Sequence, residues 1–255
     1  MRFLKNGLQK LLHLKIKNKL IMNQIIPELN AFAANHSLVE VLEHIAKQYA
    51  NSIVFTTSFG LEDQVITHLI FENNIPIEVI TLDTGRLFKE TYKVYNKTLE
   101  TYKKPITAYF PDTAHVEEML RAKGPMSFYN SVEDRKECCT IRKVEPLNRA
   151  LAGKKVWITG IRAEQSPNRE GLTMFEFDAD REIIKCNLLI DWTFTQVQDY
   201  IKKESIPYNI LHDKGFVSIG CEPCTRAIKP GEDFRAGRWW WEDNSKKECG
   251  LHTHK

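Results

Sequence analysis

Hydrophobic and polar positions follow two periods along this chain, which together predict helices and strands in turn. Apolar residues at helical spacing indicate a helix over 37–50, where Ser37 and Glu40 form a capping box. The β-branched segment 52–56 predicts a buried strand. Helix, strand, helix, strand and helix then follow at 64–71, 77–82, 87–103, 106–110 and 112–123. This order is typical of parallel βαβ units.

The second half of the chain is less regular. After Gly124-Pro125, residues 132–152 are predicted to be helical with a break near Pro146. Three strand-like segments and a helix follow at 155–159, 172–178, 182–189 and 191–203. From Pro207 onward the chain is rich in Gly, Pro and Trp, which predicts irregular structure. The pattern therefore predicts one α/β domain with a C-terminal tail.

Composition and charge limit the class of protein. The 255 residues are 42% hydrophobic and 27% charged, which is typical of a soluble globular protein. The net charge of +3 suits an anionic substrate and gives little support to nucleic-acid binding. No apolar segment is long enough to span a bilayer, so we expect no membrane insertion.

The first 22 residues differ from the rest because they carry six basic residues and no acidic one. A basic amphipathic helix at a membrane surface and a targeting peptide are two interpretations. We favour a third, a poorly ordered extension or a start at Met22.

Two polar turns follow predicted strands, at Ser58–Asp63 and Leu82–Gly85. Main-chain N–H groups at a helix N-terminus bind anionic oxygens, and a glycine lets a ligand approach the backbone. The carboxyl ends of adjacent parallel strands form a crevice where nucleotides bind. The candidate binding residues are Ser58, Gly60, Asp63, Leu82, Asp83, Thr84 and Gly85. The alternative is a pair of ordinary strand-to-loop turns, and neither turn is a Walker A loop.

Five of the six cysteines occur in three groups, which favours metal or redox chemistry in a reducing, cytoplasmic compartment over a disulfide framework. Cys138-Cys139 and Cys221-x-x-Cys224 supply four thiols that suit zinc or an iron–sulfur cluster. Adjacent thiols point in different directions, so a 4Fe–4S cluster fits better than one zinc ion. The alternative is that Cys138 and Cys139 are buried apolar residues. Cys186 lies in a predicted strand and is interpreted as a core residue.

Cationic side chains and one tail thiol complete the candidate chemistry. Arginine suits bidentate binding of phosphate or sulfate, although arginines beside tryptophans also occur in nucleic-acid sites. The candidates are Arg142, Lys143, Arg162, Arg169, Arg235 and Arg238. Cys249 lies near the C-terminus in Cys249-Gly250-Leu251-His252, where an accessible thiolate could act as a nucleophile. The alternative is an incidental terminal thiol.

Several motifs agree on one family. The chain resembles the phosphoadenylyl-sulfate/adenylyl-sulfate reductases of assimilatory sulfate reduction. The resemblance runs from about Leu38 to His252, and residues 1–22 lie outside it. The matching motifs are Ser58-Phe59-Gly60-x-Glu62-Asp63, Leu82-Asp83-Thr84-Gly85, Cys138-Cys139-x-x-Arg142-Lys143, Thr159-Gly160-x-Arg162, Gly220-Cys221-x-x-Cys224-Thr225, Arg235-x-Gly237-Arg238-Trp239-Trp240-Trp241 and Lys247-Glu248-Cys249-Gly250-Leu251-His252.

The resemblance implies a doubly wound, mostly parallel sheet of the adenine-nucleotide α-hydrolase type, with the Ser58 turn as a modified pyrophosphate loop and a mobile tail. Its implied divisions are an extension at 1–22, an α/β domain at 23–235 and a catalytic tail at 236–255. The implied reaction is reduction of adenylyl sulfate, with a separate reduced thioredoxin as donor. Both cysteine pairs together imply one 4Fe–4S cluster held by Cys138, Cys139, Cys221 and Cys224.

The resemblance also implies roles for the site residues. Gly160, Arg162 and Arg169 are expected to close over the nucleotide, and Lys143, Arg235 and Arg238 to hold the phosphosulfate. Cys249 is expected to attack the sulfur, with His252 positioning the tail or the substrate. The resemblance leaves open whether phosphoadenylyl sulfate is used, alone or in addition. It also leaves open whether the protein forms a homo-oligomer. More remote alternatives are a pyrophosphate-loop tRNA thiolase and a non-enzymatic metal module that binds nucleic acid.

Overall fold

The computed structural model describes residues 24–166, 169 and 171–242. The basic extension at 1–22 lies outside the described residues, as do Cys249 and His252. No helix in the described part of the chain is both long enough and apolar enough to cross a membrane.

The core of the fold is a six-stranded sheet in the order β3-β2-β1-β4-β6-β5. Its strands are β1 (Ile53–Thr57), β2 (Glu78–Leu82), β3 (Thr107–Tyr109), β4 (Val156–Thr159), β5 (Phe175–Asp178) and β6 (Ile183–Asn187). All neighbours pair in parallel except β5 and β6, which pair antiparallel. The mostly parallel sheet predicted from the sequence is confirmed.

Helices cover both faces of the sheet. They are α1 (24–33), α2 (Leu38–Gln48), α3 (Leu61–Glu72), α4 (Lys89–Tyr102), α5 (Thr113–Lys123), α6 (Val132–Cys139), α7 (Glu145–Leu151) and α8 (Phe194–Lys203). One apolar cluster joins α2, α3 and α8 to the sheet, and a second joins α7 to the opposite face. Burial of these two apolar surfaces holds the three layers together.

Helix α1 was not predicted from the sequence, and it protects one edge of the sheet. Leu29 is buried on the core, while the Asn30 amide bonds the main chain of Phe175. Asn30 Nδ2 donates to the Phe175 carbonyl at 2.9 Å, and the Phe175 N–H donates to Asn30 Oδ1 at 2.9 Å. A side-chain amide thus takes the place of a neighbouring strand beside edge strand β5.

The predicted helical region 132–152 contains a wider turn in place of a simple kink. A π-helical segment, Thr140–Val144, separates α6 from α7. Pro146 lies in the first turn of α7. Because Pro146 has no N–H, it cannot complete an α-helical bond to the Arg142 carbonyl, and the irregular turn precedes it. This turn carries Arg142 and Lys143.

The connections between strands define where a ligand can bind. From β1 the chain proceeds to β2 and β3 on one side, then crosses to β4 on the other side of β1. In open α/β sheets the crevice at this reversal, outside the carboxyl ends of the strands, is the usual ligand site. The turns after β1 and β4 meet there.

Candidate active site

An open crevice lies at the carboxyl ends of β1, β2 and β4. The chain segment 212–238 closes its other side. Among the residues predicted from the sequence, those that line it are Ser58, Gly60, Asp63, Leu82, Lys143, Gly160, Arg169, Arg235 and Arg238. Asp83, Thr84, Gly85 and Arg162 lie outside this lining. Two distant stretches of sequence therefore meet around one space.

The turn after β1 has the geometry of an anion-binding loop. Gly60 is the N-cap of α3, and no side-chain cap is bonded there among the described residues. The first N–H groups of a helix carry partial positive charge, and an anionic oxygen can satisfy them. Phe59 adopts the left-handed conformation with φ 61°. A glycine would reach this conformation easily, whereas Phe59 is held by burial and by stacking on Tyr95 at 4.7 Å between ring centroids.

Asp63 shapes this loop from behind. Its Oδ2 accepts hydrogen bonds from the Ser58 N–H and from Ser58 Oγ, both at 2.6 Å. Burial raises the pKa of the Asp63 carboxyl from 3.8 to about 6, against the opposing effect of the Ser58 hydrogen bonds, and the charge of Glu62 raises it further. Gly160 makes room for the Asp63 carboxyl group, since a Cβ on residue 160 would lie 2.1 Å from Asp63 Oδ1. Asp63 therefore bonds its own loop while lining the crevice.

The raised pKa of Asp63 makes folding stability depend on pH. The pKa is higher in the folded protein than in the unfolded chain, so its stabilising contribution is complete below pH 3.8 and is lost as pH rises through about 6. The whole change in the free energy of unfolding amounts to about 3 kcal/mol. We expect the Asp63→Asn protein not to lose this stability as pH rises. Urea unfolding of both proteins at matched pH values between about 3.5 and 7 measures it, and parallel curves would contradict the assignment.

Arg162 lies behind the wall of the crevice. Its Nε donates to Glu62 Oε1 at 2.7 Å, and its guanidinium lies over the rings of Phe194 and Phe234 at 5.6 and 5.9 Å. Gln165 Nε2 also donates to Glu62 Oε1, at 2.9 Å. Arg162 is fully buried in this arrangement. It supports the first turn of α3 through Glu62.

The turn after β2 faces a second site. Gly85 N–H and Tyr92 OH both donate to the Asp83 carboxylate, at 2.8 and 2.9 Å. The Thr84 carbonyl accepts from Arg142 at 2.7 Å, and Thr84 Oγ1 lies 3.3 Å from Cys221 Sγ. Only Leu82 of this predicted group lines the crevice. The turn thus connects the sheet edge to the cysteines.

Four cysteines that are distant in sequence line one cavity. Cys138 and Cys139 end α6, while Cys221 precedes the short 3₁₀ turn Glu222–Cys224 and Cys224 ends it. The cations Arg86, Arg135, Arg142 and Lys143 line the same cavity. None of the four forms a disulfide with another cysteine in the described part of the chain. The four cysteines that the sequence predicts to form one group therefore lie around one cavity.

The buried thiols influence one another. Burial, followed by the charges of Cys221 and Cys139, raises the pKa of the Cys224 thiol to about 12. Burial also raises the pKa of Cys138, which the cations Arg142 and Arg86 partly oppose. Cys186 is fully buried in β6, as predicted, away from this cavity.

Lys143 is the side chain shared by both sites, since it lines the crevice and the cysteine cavity. Arg235 and Arg238 line the crevice from the opposite segment. Gly220 makes room for Arg238, because a Cβ there would lie 2.3 Å from the Arg238 guanidinium. Lys143, Arg235 and Arg238 therefore all line the crevice, where their charges can neutralise an anionic group of a ligand.

Sequence reasoning missed His212 and Trp239. His212 lines the crevice. Both of its ring nitrogens are buried, and neither makes a hydrogen bond within the described residues. Burial lowers its pKa, while the charge of Glu62 and the Phe216 carbonyl raise it. A single histidine in an irregular segment offers no periodic signal that could have identified it. Trp239 was noted only as part of an aromatic run.

The fold and the two adjoining cavities define a nucleotide-binding α/β protein with a thiol-rich site beside its crevice. Residues 52–227 match the family model described as the phosphoadenosine phosphosulfate reductase domain. The chain belongs to this family, as its motifs predict.

A relative and two solved structures extend this result. The Agrobacterium fabrum protein named adenosine 5′-phosphosulfate reductase is 52% identical over 200 residues, covering 78% of this chain and 77% of the relative. The structure of phosphoadenylyl-sulfate reductase from Candida auris, a phosphate complex, has a TM-score of 0.67 at 31% identity, covering 80% of this chain and 96% of that chain.

The second structure is Candida glabrata FMN adenylyltransferase, with a TM-score of 0.52 at 15% identity, covering 88% of this chain and 85% of that chain. This likeness concerns the fold alone. Together with the parallel sheet, these matches confirm the predicted fold class of the pyrophosphate-loop type.

Proposed function

We propose that this chain reduces adenylyl sulfate (adenosine 5′-phosphosulfate) to sulfite and AMP in sulfate assimilation, with reduced thioredoxin as the electron donor. The relatives named adenosine 5′-phosphosulfate reductase support the substrate, because 52% identity extends over most of both chains. The observation that carries the proposal is the position of Lys143, which lines both the crevice and the cysteine cavity. That position suits a nucleotide whose sulfate end lies near the thiols.

In this proposal the nucleotide occupies the crevice between the turns after β1 and β2. The N-terminus of α3 offers N–H groups to an anionic oxygen. Gly160 and Arg169 lie against the nucleotide, while Arg162 supports the first turn of α3 through Glu62. Lys143, Arg235 and Arg238 neutralise the phosphosulfate. These cations also stabilise the charge on AMP as it leaves.

The covalent step begins with the Cys249 thiolate. Its sulfur attacks the sulfate sulfur, a sulfur–sulfur bond forms, and the bond from sulfur to the phosphate oxygen breaks. AMP leaves with the electron pair of the broken bond, and Cys249 carries an S-sulfonate. His252 is proposed to position the tail or the substrate. Covalent catalysis divides one difficult displacement into two easier ones.

In the second step we propose that the dithiol of reduced thioredoxin cleaves the S-sulfonate. A thioredoxin thiolate attacks Cys249 Sγ, and sulfite leaves with the electron pair of the sulfur–sulfur bond. The second thioredoxin thiol then releases Cys249 as a thiolate. Two electrons pass from thioredoxin to sulfur. We also propose that the chain is divided into a domain at 23–235 and a catalytic tail at 236–255. A cytoplasmic location, which keeps these thiols reduced, is part of the same proposal.

The four thiols around the second cavity suit a 4Fe–4S cluster. Among the described residues, no group of three or more His, Cys, Asp or Glu side chains is arranged to hold a metal ion directly. One zinc ion holds each sulfur at about 2.3 Å, whereas an iron–sulfur cube binds thiolates at separate irons farther apart. Cys138, Cys139, Cys221 and Cys224 would hold the cluster. When bound, it supplies a fixed charge beside Lys143 and ties the two cysteine segments together.

Loss of one cavity thiol is expected to remove the cluster. Cys221→Ala should lower iron and acid-labile sulfide to a small fraction of the wild-type content, because one iron loses its thiolate ligand. Cys186→Ala is the matched control, since Cys186 is the buried cysteine outside the cavity. Iron and sulfide assays on anaerobically purified proteins measure both. Full iron content in the Cys221 variant would contradict this ligand set.

The experiment that tests the function is sulfite release by anaerobically prepared protein with reduced thioredoxin. Adenylyl sulfate and phosphoadenylyl sulfate are supplied separately. We expect a strong preference for adenylyl sulfate. Equal use of both would retain the reaction and show that a 3′-phosphate is accepted. Sulfite from neither would overturn the proposal and favour a pyrophosphate-loop ATP enzyme.

A further inference from the structure

Trp239 lies at the centre of a group of arginines. Its side chain is almost fully buried, with 1% exposed. Three guanidinium carbons lie near its ring centroid: Arg135 at 4.4 Å, Arg238 at 4.9 Å and Arg235 at 5.7 Å. The face of an indole attracts cations, and it does so more strongly where water is excluded. Such a concentration of positive charge would otherwise be unfavourable in a buried site.

The main chain fixes Trp239 against the cysteine cavity. Its N–H donates to the Cys224 carbonyl at 3.1 Å, and its ring packs in an apolar cluster with Cys138 and Phe128. Its φ of 42° lies in the left-handed region, which a bulky residue rarely adopts. The surrounding contacts hold this uncommon conformation. The indole is therefore a rigid surface beside the thiols.

The three arginines around the indole differ in their other contacts. Arg135 is committed to structure, because its Nε donates to Glu242 Oε1 at 2.6 Å and it lines the cysteine cavity. Arg235 and Arg238 line the nucleotide crevice instead. Arg238 also approaches Ser218 Oγ at 3.4 Å, and its Nε is buried without a hydrogen-bond partner in the described part of the chain. Trp239 thus contacts the crevice cations without lining the crevice itself.

We infer that Trp239 is a positioning residue, whose indole holds Arg235 and Arg238 in the orientation that binds the sulfate end of the substrate. A long arginine side chain loses rotamer freedom when it binds an anion, and a preformed contact reduces that loss. The inference deepens the proposed function and depends on it, because it concerns the same anion. Its distinctive consequence is that Trp239 acts mainly on the sulfate end. AMP meets the same cations only through its phosphate, so its affinity should depend on Trp239 much less.

The test compares the two ligands in a full-length Cys249→Ser background, where adenylyl sulfate can bind without reacting. Titration calorimetry gives the Kd of adenylyl sulfate and of AMP for Trp239, Trp239→Phe and Trp239→Leu. We expect the leucine variant to bind adenylyl sulfate about tenfold more weakly, with its AMP affinity within about twofold of the parent. The phenylalanine variant, which retains an aromatic face, should lie between the leucine variant and the parent.

A double-mutant cycle with Arg238→Ala shows whether the effect passes through the arginines. If it does, Trp239→Leu weakens adenylyl sulfate binding less in the Arg238→Ala background than in the parent, where Arg235 and Arg238 are both present. Equal weakening of AMP and adenylyl sulfate, with a lower melting temperature or lower iron content, would show a structural role and overturn the inference. Unchanged affinity for both ligands would also overturn it. A parent protein that binds neither ligand would instead refute the proposed function.

Discussion

Replacement of Cys249 by serine is expected to abolish sulfite formation from adenylyl sulfate. A serine hydroxyl is almost wholly protonated at neutral pH, whereas a cysteine is partly present as the more nucleophilic thiolate. Without the thiolate no S-sulfonate forms, and thioredoxin has no sulfur–sulfur bond to cleave. The expected loss is complete within the limits of a sulfite assay, and protein labelling by ³⁵S-adenylyl sulfate should disappear with it.

Two controls separate this chemical effect from loss of the site. Cys186→Ala should retain the label, because Cys186 is buried in β6 and does not line the crevice. AMP should bind to the Cys249→Ser protein as it does to the wild type, since the crevice is built from other residues. Radioactive label that survives on the serine variant would show that another group accepts the sulfur.

Local sequence patterns predicted the strands and helices well because each follows a clear period. The predicted helix at 112–123 corresponds to Thr113–Lys123, and the predicted strand at 155–159 to Val156–Thr159. Helix α1 was missed, although it buries Leu29 and bonds the edge strand through Asn30. The bonds from Asn30 to Phe175 join residues that are far apart in sequence. No local pattern indicates them.

Side-chain direction limited the prediction of the site. Residue types at the strand ends correctly indicated a crevice. They did not show which residue of each turn has its side chain facing that crevice. Asp83 bonds Tyr92 and its own turn, and Arg162 points into the wall toward Glu62. The shared position of Lys143 depends on the π-helical segment. That segment could not be derived from helical spacing, because it adds a residue to the turn.

A short series of contacts joins the two cavities. Residues 84–87 reach both sides: Leu87 lines the crevice and pairs with Cys221, while the Arg86 carbonyl accepts a hydrogen bond from Glu222 N–H at 2.8 Å. Arg142 donates to the Thr84 carbonyl from the other cysteine segment. Contacts from both cysteine segments therefore meet at residues 84–87, beside one wall of the crevice.

Substitution of Gly160 by alanine is expected to disable nucleotide binding. The new methyl group would lie 2.1 Å from Asp63 Oδ1 and 3.3 Å from Glu62 Cβ, so the Asp63 carboxylate must move. Moving it breaks the bonds to Ser58 N–H and Oγ that shape the loop at the start of α3. Overpacking and two lost hydrogen bonds together suggest a destabilisation of about 2–4 kcal/mol. AMP affinity should fall by more than about tenfold because the loop no longer presents its N–H groups.

Removal of the opposing carboxylate tests whether this steric conflict is the cause. Asp63→Ala alone loses the Ser58 bonds, but it also vacates the space that the methyl group of Ala at position 160 requires. Adding Gly160→Ala to Asp63→Ala should then cost much less stability than Gly160→Ala costs in the wild type. Urea unfolding and AMP titration of the four proteins complete the cycle. Additive costs would show that Gly160 is needed for another reason, such as direct approach of the nucleotide to its main chain.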